Sequence, residues 1–227
     1  AMTALLMVIV IALVRFPKVE LKDEEKMDTG TGFRSLLSNR FVWLYFLGIF
    51  AYVGTEQGIA NWTSKFLQMN HGIDPATTGA RVISYFWGLL TVGCLLGLVV
   101  LKLFDSRKVL MGAALLTMVT LAAALFGPAN VALIGFPLTG FFLSVMWSIL
   151  VSLGLNSVPR YHGTFSGILC TGIAGGAVVP LVIGGLAEWV GLQFGMLTLF
   201  ITLGYIFSVG IWSKPLINNA TVRNWRD

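Results

Sequence analysis

A chain of 227 residues that is 56% hydrophobic and only 11% charged, with a mean hydropathy of +0.85, carries more apolar surface than the interior of one soluble domain can hide. That excludes a water-soluble enzyme and a secreted disulfide scaffold, and it points to an integral membrane protein whose solvent is largely lipid. The formal net charge of +5 would suit a nucleic-acid partner, but the placement of the basic residues argues against one.

Residues 1–14 form a short apolar run that ends at Arg15, Phe16 and Pro17. It lacks the basic start and small-residue cleavage site of a signal peptide, and it reads as the end of a preceding transmembrane helix. Residues 15–40 hold mixed charge followed by Thr29-Gly30-Thr31-Gly32, the composition of a linker, with a short surface helix expected at 33–37. Six apolar runs follow, at 41–67, 80–103, 109–127, 130–156, 166–187 and 193–213. Each approaches or exceeds the roughly 20 residues that a helix needs to cross the hydrocarbon. They are continuous and do not alternate polar with apolar, so six helices are expected and not a barrel. Residues 214–227 form a polar tail.

If the chain zigzags through six spans, 13 of the 15 Lys and Arg residues fall on one side, leaving Lys65 and Arg81 on the other. The positive-inside rule makes the linker and the tail cytoplasmic. The basic balance is therefore a topology signal, and no nucleic-acid partner is expected. Cys94 and Cys170 lie in apolar runs and read as small core residues.

Nine of the ten acids lie in the linker, turns, loops or tail, and Glu56 alone falls inside a span. A charge there costs at least ~2.5–3.5 kcal/mol on insertion scales, so it marks a functional site unless structure alone explains it. Gln57 and Asn61 follow at helical spacing and share a face, with Trp62 beside them. Carboxylate, amides and indole suit a hydroxyl-rich ligand, because amides both donate and accept and an indole face stacks on a sugar ring. The competing reading is interhelical glue. Tyr85, Phe86, Trp87 and Trp147 lie deep in their spans, away from the interfacial aromatic belts, and either line a path or fill the core. Ser144, Ser148, Ser152 and Asn156 recur at steps of four, as a cavity lining or a helix seam. Gly167, Gly172, Gly175, Gly176, Gly184 and Gly185, with Pro180, predict a close-packed or bending fifth helix. His71 and His162 fall in loops on opposite sides, and no phosphate loop, metal cluster or nucleophile–base pair is visible, so no enzyme activity is expected.

These residues resemble the C-terminal half of a major facilitator superfamily transporter. More narrowly they are similar to the fucose:proton symporter family, which includes glucose/galactose and N-acetylglucosamine permeases. Tyr52-Val53-Gly54-Thr55-Glu56 looks like that family's seventh-helix signature. Residues 144–154 resemble its tenth helix, with Ser148 where the family has proline, and residues 163–180 resemble its eleventh. Gly93 and Gly97, followed by Asp105-Ser106-Arg107-Lys108, are similar to a degenerate copy of the superfamily's inner-loop motif.

The resemblance implies an all-α membrane fold: six helices, as two inverted three-helix repeats, forming half of a twelve-helix bundle. It implies a sugar substrate, alternating access, H+ or Na+ as coupling ion, no other cofactor, an N-terminal six-helix half as partner, and a bacterial inner membrane. Glu56, Gln57 and Asn61 would hold sugar hydroxyls and Trp62 or Trp147 would stack on the ring, with Tyr85 a further candidate on the path. An exporter of drugs or other small solutes is the alternative of the same architecture. A six-helix channel or scaffold would need oligomeric symmetry and a pore-lining stripe.

Overall fold

The computed structural model describes residues 29–216, and the readings for residues 1–28 and 217–227 lie outside them. Every regular element among the described residues is helical. The surface helix expected at 33–37 runs over Thr29–Leu37 (α1). It packs on the fifth helical rod, with Leu36 buried.

Six long helical rods follow. The first is Arg40–His71 (α2), about 48 Å long at 1.5 Å per residue. The Asn39 side chain starts it by accepting from the Phe41 N–H at 2.9 Å. Gly72 ends it with φ 65°, so that its N–H reaches the Gln68 carbonyl and the Ile73 N–H reaches Leu67, the left-handed stop that glycine permits. One π-helical turn at Pro75–Gly79 leads into Ala80–Leu103 (α3). Asp74 caps that turn, and the Thr77 hydroxyl and the Ala76 N–H hold its carboxyl below the usual range. Asp105 caps Ser106–Phe126 (α4) by accepting from the Arg107 N–H. Arg107 also donates to the Ser213 carbonyl at 3.2 Å, tying this turn to the end of the last rod.

The fourth rod is Ala129–Leu143 (α5) continued by Met146–Leu155 (α6), and it loosens at Ser144 and Val145. The fifth is His162–Thr171 (α7), a tight turn at Gly172–Ala174, and Gly175–Val190 (α8). The sixth is Leu192–Gly195 (α9) with Thr198–Trp212 (α10).

Five of these rods are long and apolar enough to cross a membrane: Pro75–Leu103, Ser106–Phe126, Ala129–Leu155, His162–Val190 and Leu192–Trp212. Of the six expected spans, five are supported in this way. The first rod is the longest, but Glu56, Gln57, Asn61 and Lys65 dilute its apolar run and it does not qualify on composition. It sits at the centre of the bundle, with Tyr45, Ile49, Ile59 and Phe66 fully buried.

Packing follows a pattern. α2 crosses α8, and α3 crosses α5. α4 packs against both α5 and α10, and α10 packs against α2. Exchanging the first three rods with the last three leaves this set of partnerships unchanged. Outside the core the surface is apolar: Leu181 and Ile201 are each 74% exposed, which water would penalise and lipid does not.

Candidate functional site

The centre of α2 carries the polar residues that lipid disfavours, and they leave the helix in two directions. Tyr52 and Glu56 are one turn apart and point the same way. The Tyr52 phenol and the Cys94 thiol of α3 both lie close enough to the Glu56 carboxylate to feel its charge. Tyr52 packs against Trp147 of α6, ring centroids 5.9 Å apart. Cys94 donates to the Ser144 carbonyl at 3.3 Å, where α5 gives way to α6.

Glu56 is half-buried and forms no ion pair among the described residues; the pair that does form is Arg107 with Asp105. Its nearest amide is Gln57, whose Nε2 donates to Oε1 over a long 3.5 Å. The carboxylate therefore keeps most of its accepting capacity unspent.

The other direction faces α8. A side chain at Gly176 would meet Gln57, and one at Gly184 would meet the Trp62 ring. The Trp62 indole N–H donates to the Pro180 carbonyl at 3.0 Å. Asn61 is exposed, and with Trp62, Lys65 and Pro180 it borders a shallow groove of about 470 Å³. Trp62→Phe is expected to keep the ring packing and lose that hydrogen bond, lowering stability by roughly 1 kcal/mol in a thermal melt.

A larger cleft of about 820 Å³ runs from Trp147 past Ser148, Ser152 and Asn156 to His162. The four-residue stripe thus divides. Its last three members line this cleft, whereas Ser144 is buried and its hydroxyl donates to the Phe141 carbonyl at 2.7 Å.

The six residues singled out in the sequence are therefore not one cluster. Glu56 and Trp147 meet through Tyr52, and Gln57, Asn61 and Trp62 line the α8 side. Tyr85 joins neither. It is 60% exposed and lies two and a half turns from Cys94, on the opposite face of α3. Phe86 is core, 2% exposed, beneath Gly140 of α5. Two residues of the Glu56 cluster went unselected. Tyr52 was legible as the residue one turn before Glu56, while nothing in the sequence distinguishes Cys94.

A carboxylate with free lone pairs, a phenol, an indole face and a neighbouring amide can accept from, donate to and stack on a hydroxyl-rich ring. The profile of the Major Facilitator Superfamily matches residues 1–180. A glucose/galactose transporter of Brucella abortus biovar 1 (strain 9-941) is 30% identical over 217 residues, 93% of this chain and 51% of the relative. The L-fucose-proton symporter of Escherichia coli (strain K12) is 27% identical over 187 residues, 78% of this chain and 42% of that protein. A crystal structure of an Escherichia coli fucose:proton symporter variant superposes with a TM-score of 0.78 at 21% identity, covering 92% of this chain and 52% of that one. The chain thus spans about half the length of the curated relatives it matches.

Proposed function

The chain belongs to the Major Facilitator Superfamily, and from that premise we propose that it is the C-terminal half of a cation-coupled sugar transporter working by alternating access. It is an integral, multi-pass membrane protein, with five rods apolar enough to span. In this reading α2 is the sixth span, shielded by its neighbours. The first and last three rods are inverted repeats, because each unit contains an odd number of crossings. The linker and tail are cytoplasmic by the distribution of Lys and Arg, and the membrane is a bacterial inner membrane. A six-helix N-terminal half faces this one across the sugar site.

The observation that carries the reading is the half-buried Glu56, without an ion pair among the described residues, beside the Tyr52–Trp147 pair at the centre of the bundle. That arrangement supports a sugar better than an amphiphilic drug, because an apolar ligand would leave the carboxylate unsatisfied. Glu56, Gln57 and Asn61 accept and donate to hydroxyls, and Trp147 offers the stacking face. Sugar and cation together shift the balance between outward-open and inward-open states. The loosened segments at Ser144–Val145 and Gly172–Ala174 are where rods of this kind bend. No cofactor beyond H+ or Na+ enters the cycle.

The test is counterflow in proteoliposomes, with the full-length protein and a panel of hexoses. At least one hexose is expected to exchange, and an imposed proton or sodium gradient is expected to drive its accumulation. Absence of exchange for every hexose would overturn the sugar assignment. Exchange without response to either gradient would overturn the coupling.

A further inference from the structure

α3 and α4 share a turn at residues 104–105 but barely touch above it. The space between them is a groove of about 350 Å³, floored by Phe141 of α5 and walled by Leu96, Val100, Phe104, Gly112 and Leu116. The lining offers almost no hydrogen bonding. Ser144, at the base, spends its hydroxyl on the Phe141 carbonyl. A sugar seated here would leave its hydroxyls unsatisfied, so the groove is not a continuation of the Glu56 site.

One end of the groove is different: Lys108 lines it there. Lys108 and Lys102 are both exposed and make no ion pair among the described residues, whereas their neighbour Arg107 is held by Asp105 and the Ser213 carbonyl. Both lysines flank the turn at which two candidate membrane spans, Pro75–Leu103 and Ser106–Phe126, come to an end. That is the depth of lipid headgroups. From Lys108 to Leu116 the groove runs about 12 Å along α4, directed into the hydrocarbon. Gly112 faces open space at its middle: a side-chain carbon added there would have nothing within 4 Å.

We propose that this groove holds one acyl chain of an anionic phospholipid, with the lipid phosphate on Lys108. An apolar trough between two spanning helices, closed at the headgroup level by a cation that makes no ion pair among the described residues, is complementary to a phosphate joined to a hydrocarbon chain. Lysine serves phosphate as a point charge, and basic pockets between membrane helices recognise anionic headgroups in this way. The lipid fills a gap that would otherwise leave α3 and α4 without packing partners along their facing sides. The site depends on the membrane placement of α3 and α4 and not on the identity of the transported solute.

The experiment uses the full-length protein in mixed phosphatidylethanolamine–phosphatidylglycerol vesicles, with a photoreactive group on the acyl chain of one lipid or the other. The phosphatidylglycerol probe is expected to label the segment of residues 96–116 or the region of Phe141. Gly112→Leu places a side chain in the groove and improves the helix propensity of the position, so it is expected to reduce labelling about tenfold while the melting temperature holds. Lys108→Gln is expected to reduce labelling by phosphatidylglycerol and leave the weaker phosphatidylethanolamine labelling as it was. Equal labelling of the groove by both lipids would overturn the charge recognition. Labelling unaffected by Gly112→Leu would overturn the site. Cross-linking of Gly112→Cys to the protein's other half would also overturn it, by showing a protein segment in the lipid's place. Hexose counterflow in the same vesicles reads the transport proposal separately, so failure of one leaves the other measurable.

Discussion

Glu56→Gln is expected to reduce hexose counterflow at least about 100-fold while the melting temperature of the full-length protein stays within a few degrees of the parent. The substitution keeps the shape of the side chain and removes its charge. A hydrogen bond to a charged group contributes roughly 1.5–3 kcal/mol, and tenfold in affinity corresponds to about 1.4 kcal/mol. Two hydroxyls released from a carboxylate therefore account for about that loss. Stability is expected to hold because Glu56 forms no ion pair among the described residues, so no buried counter-charge is orphaned. Its hydrogen-bond partner among the described residues, the Gln57 amide, still finds an acceptor in a glutamine carbonyl. If Glu56 only clamps Tyr52, the result inverts: the melt shifts and exchange persists. Measuring the melt and the counterflow on one preparation separates these outcomes.

What the sequence made legible followed from the cost of polar groups in lipid. The limits of the rods lie close to the apolar runs because the backbone must pair with itself wherever water is absent. Glu56 stood out for the same reason. The helix breaks were harder to read. Pro137 and Pro180 lie inside α5 and α8, which continue through them, while the fourth rod loosens at Ser144 and Val145, where neither proline nor glycine stands. In the fifth rod the glycine-rich stretch did announce a departure, and the tight turn falls at Gly172–Ala174. The site was half legible. Spacing placed Gln57 and Asn61 on one face, and the structure puts Gln57, Asn61 and Trp62 toward α8. Glu56 is one residue away, hence about 100° around the helix, and looks toward α3 and α6 instead. Which neighbour each face meets depends on how six rods are arranged, and periodicity within one rod carries no record of that. Tyr85 shows the limit: depth in a span was readable, but the direction of its side chain was not.

Gly175→Val is expected to lower the melting temperature of the full-length protein by roughly 5 °C, or to prevent recovery of a monodisperse sample. At this residue α8 crosses α2 so closely that a side-chain carbon would collide with the Phe50 carbonyl. A side chain at Gly54, one turn along α2, would collide with Val179 and crowd the Gly175 carbonyl. The first obstacle is backbone and cannot rotate away, so the two helices must separate. Overpacking of this kind costs typically about 1–3 kcal/mol and more when the backbone has to move. The exchange pattern of the six rods supplies a second arm. α3 crosses α5 as α2 crosses α8, and there Gly140 lies against the Phe86 carbonyl. Gly140→Val should therefore reproduce the loss in the other repeat. Gly185→Ala is the internal control, on the same helix as Gly175 but with nothing within 4 Å of the added carbon, and it should melt like the parent. If Gly175→Val and Gly185→Ala melt alike, α2 and α8 do not cross at Gly175. The same crossing brings Gly176 against Gln57 and holds Trp62 against Gly184. Losing it would scatter Gln57 and Trp62 on the α8 side of the candidate site, although Gly175 is itself no sugar-binding residue.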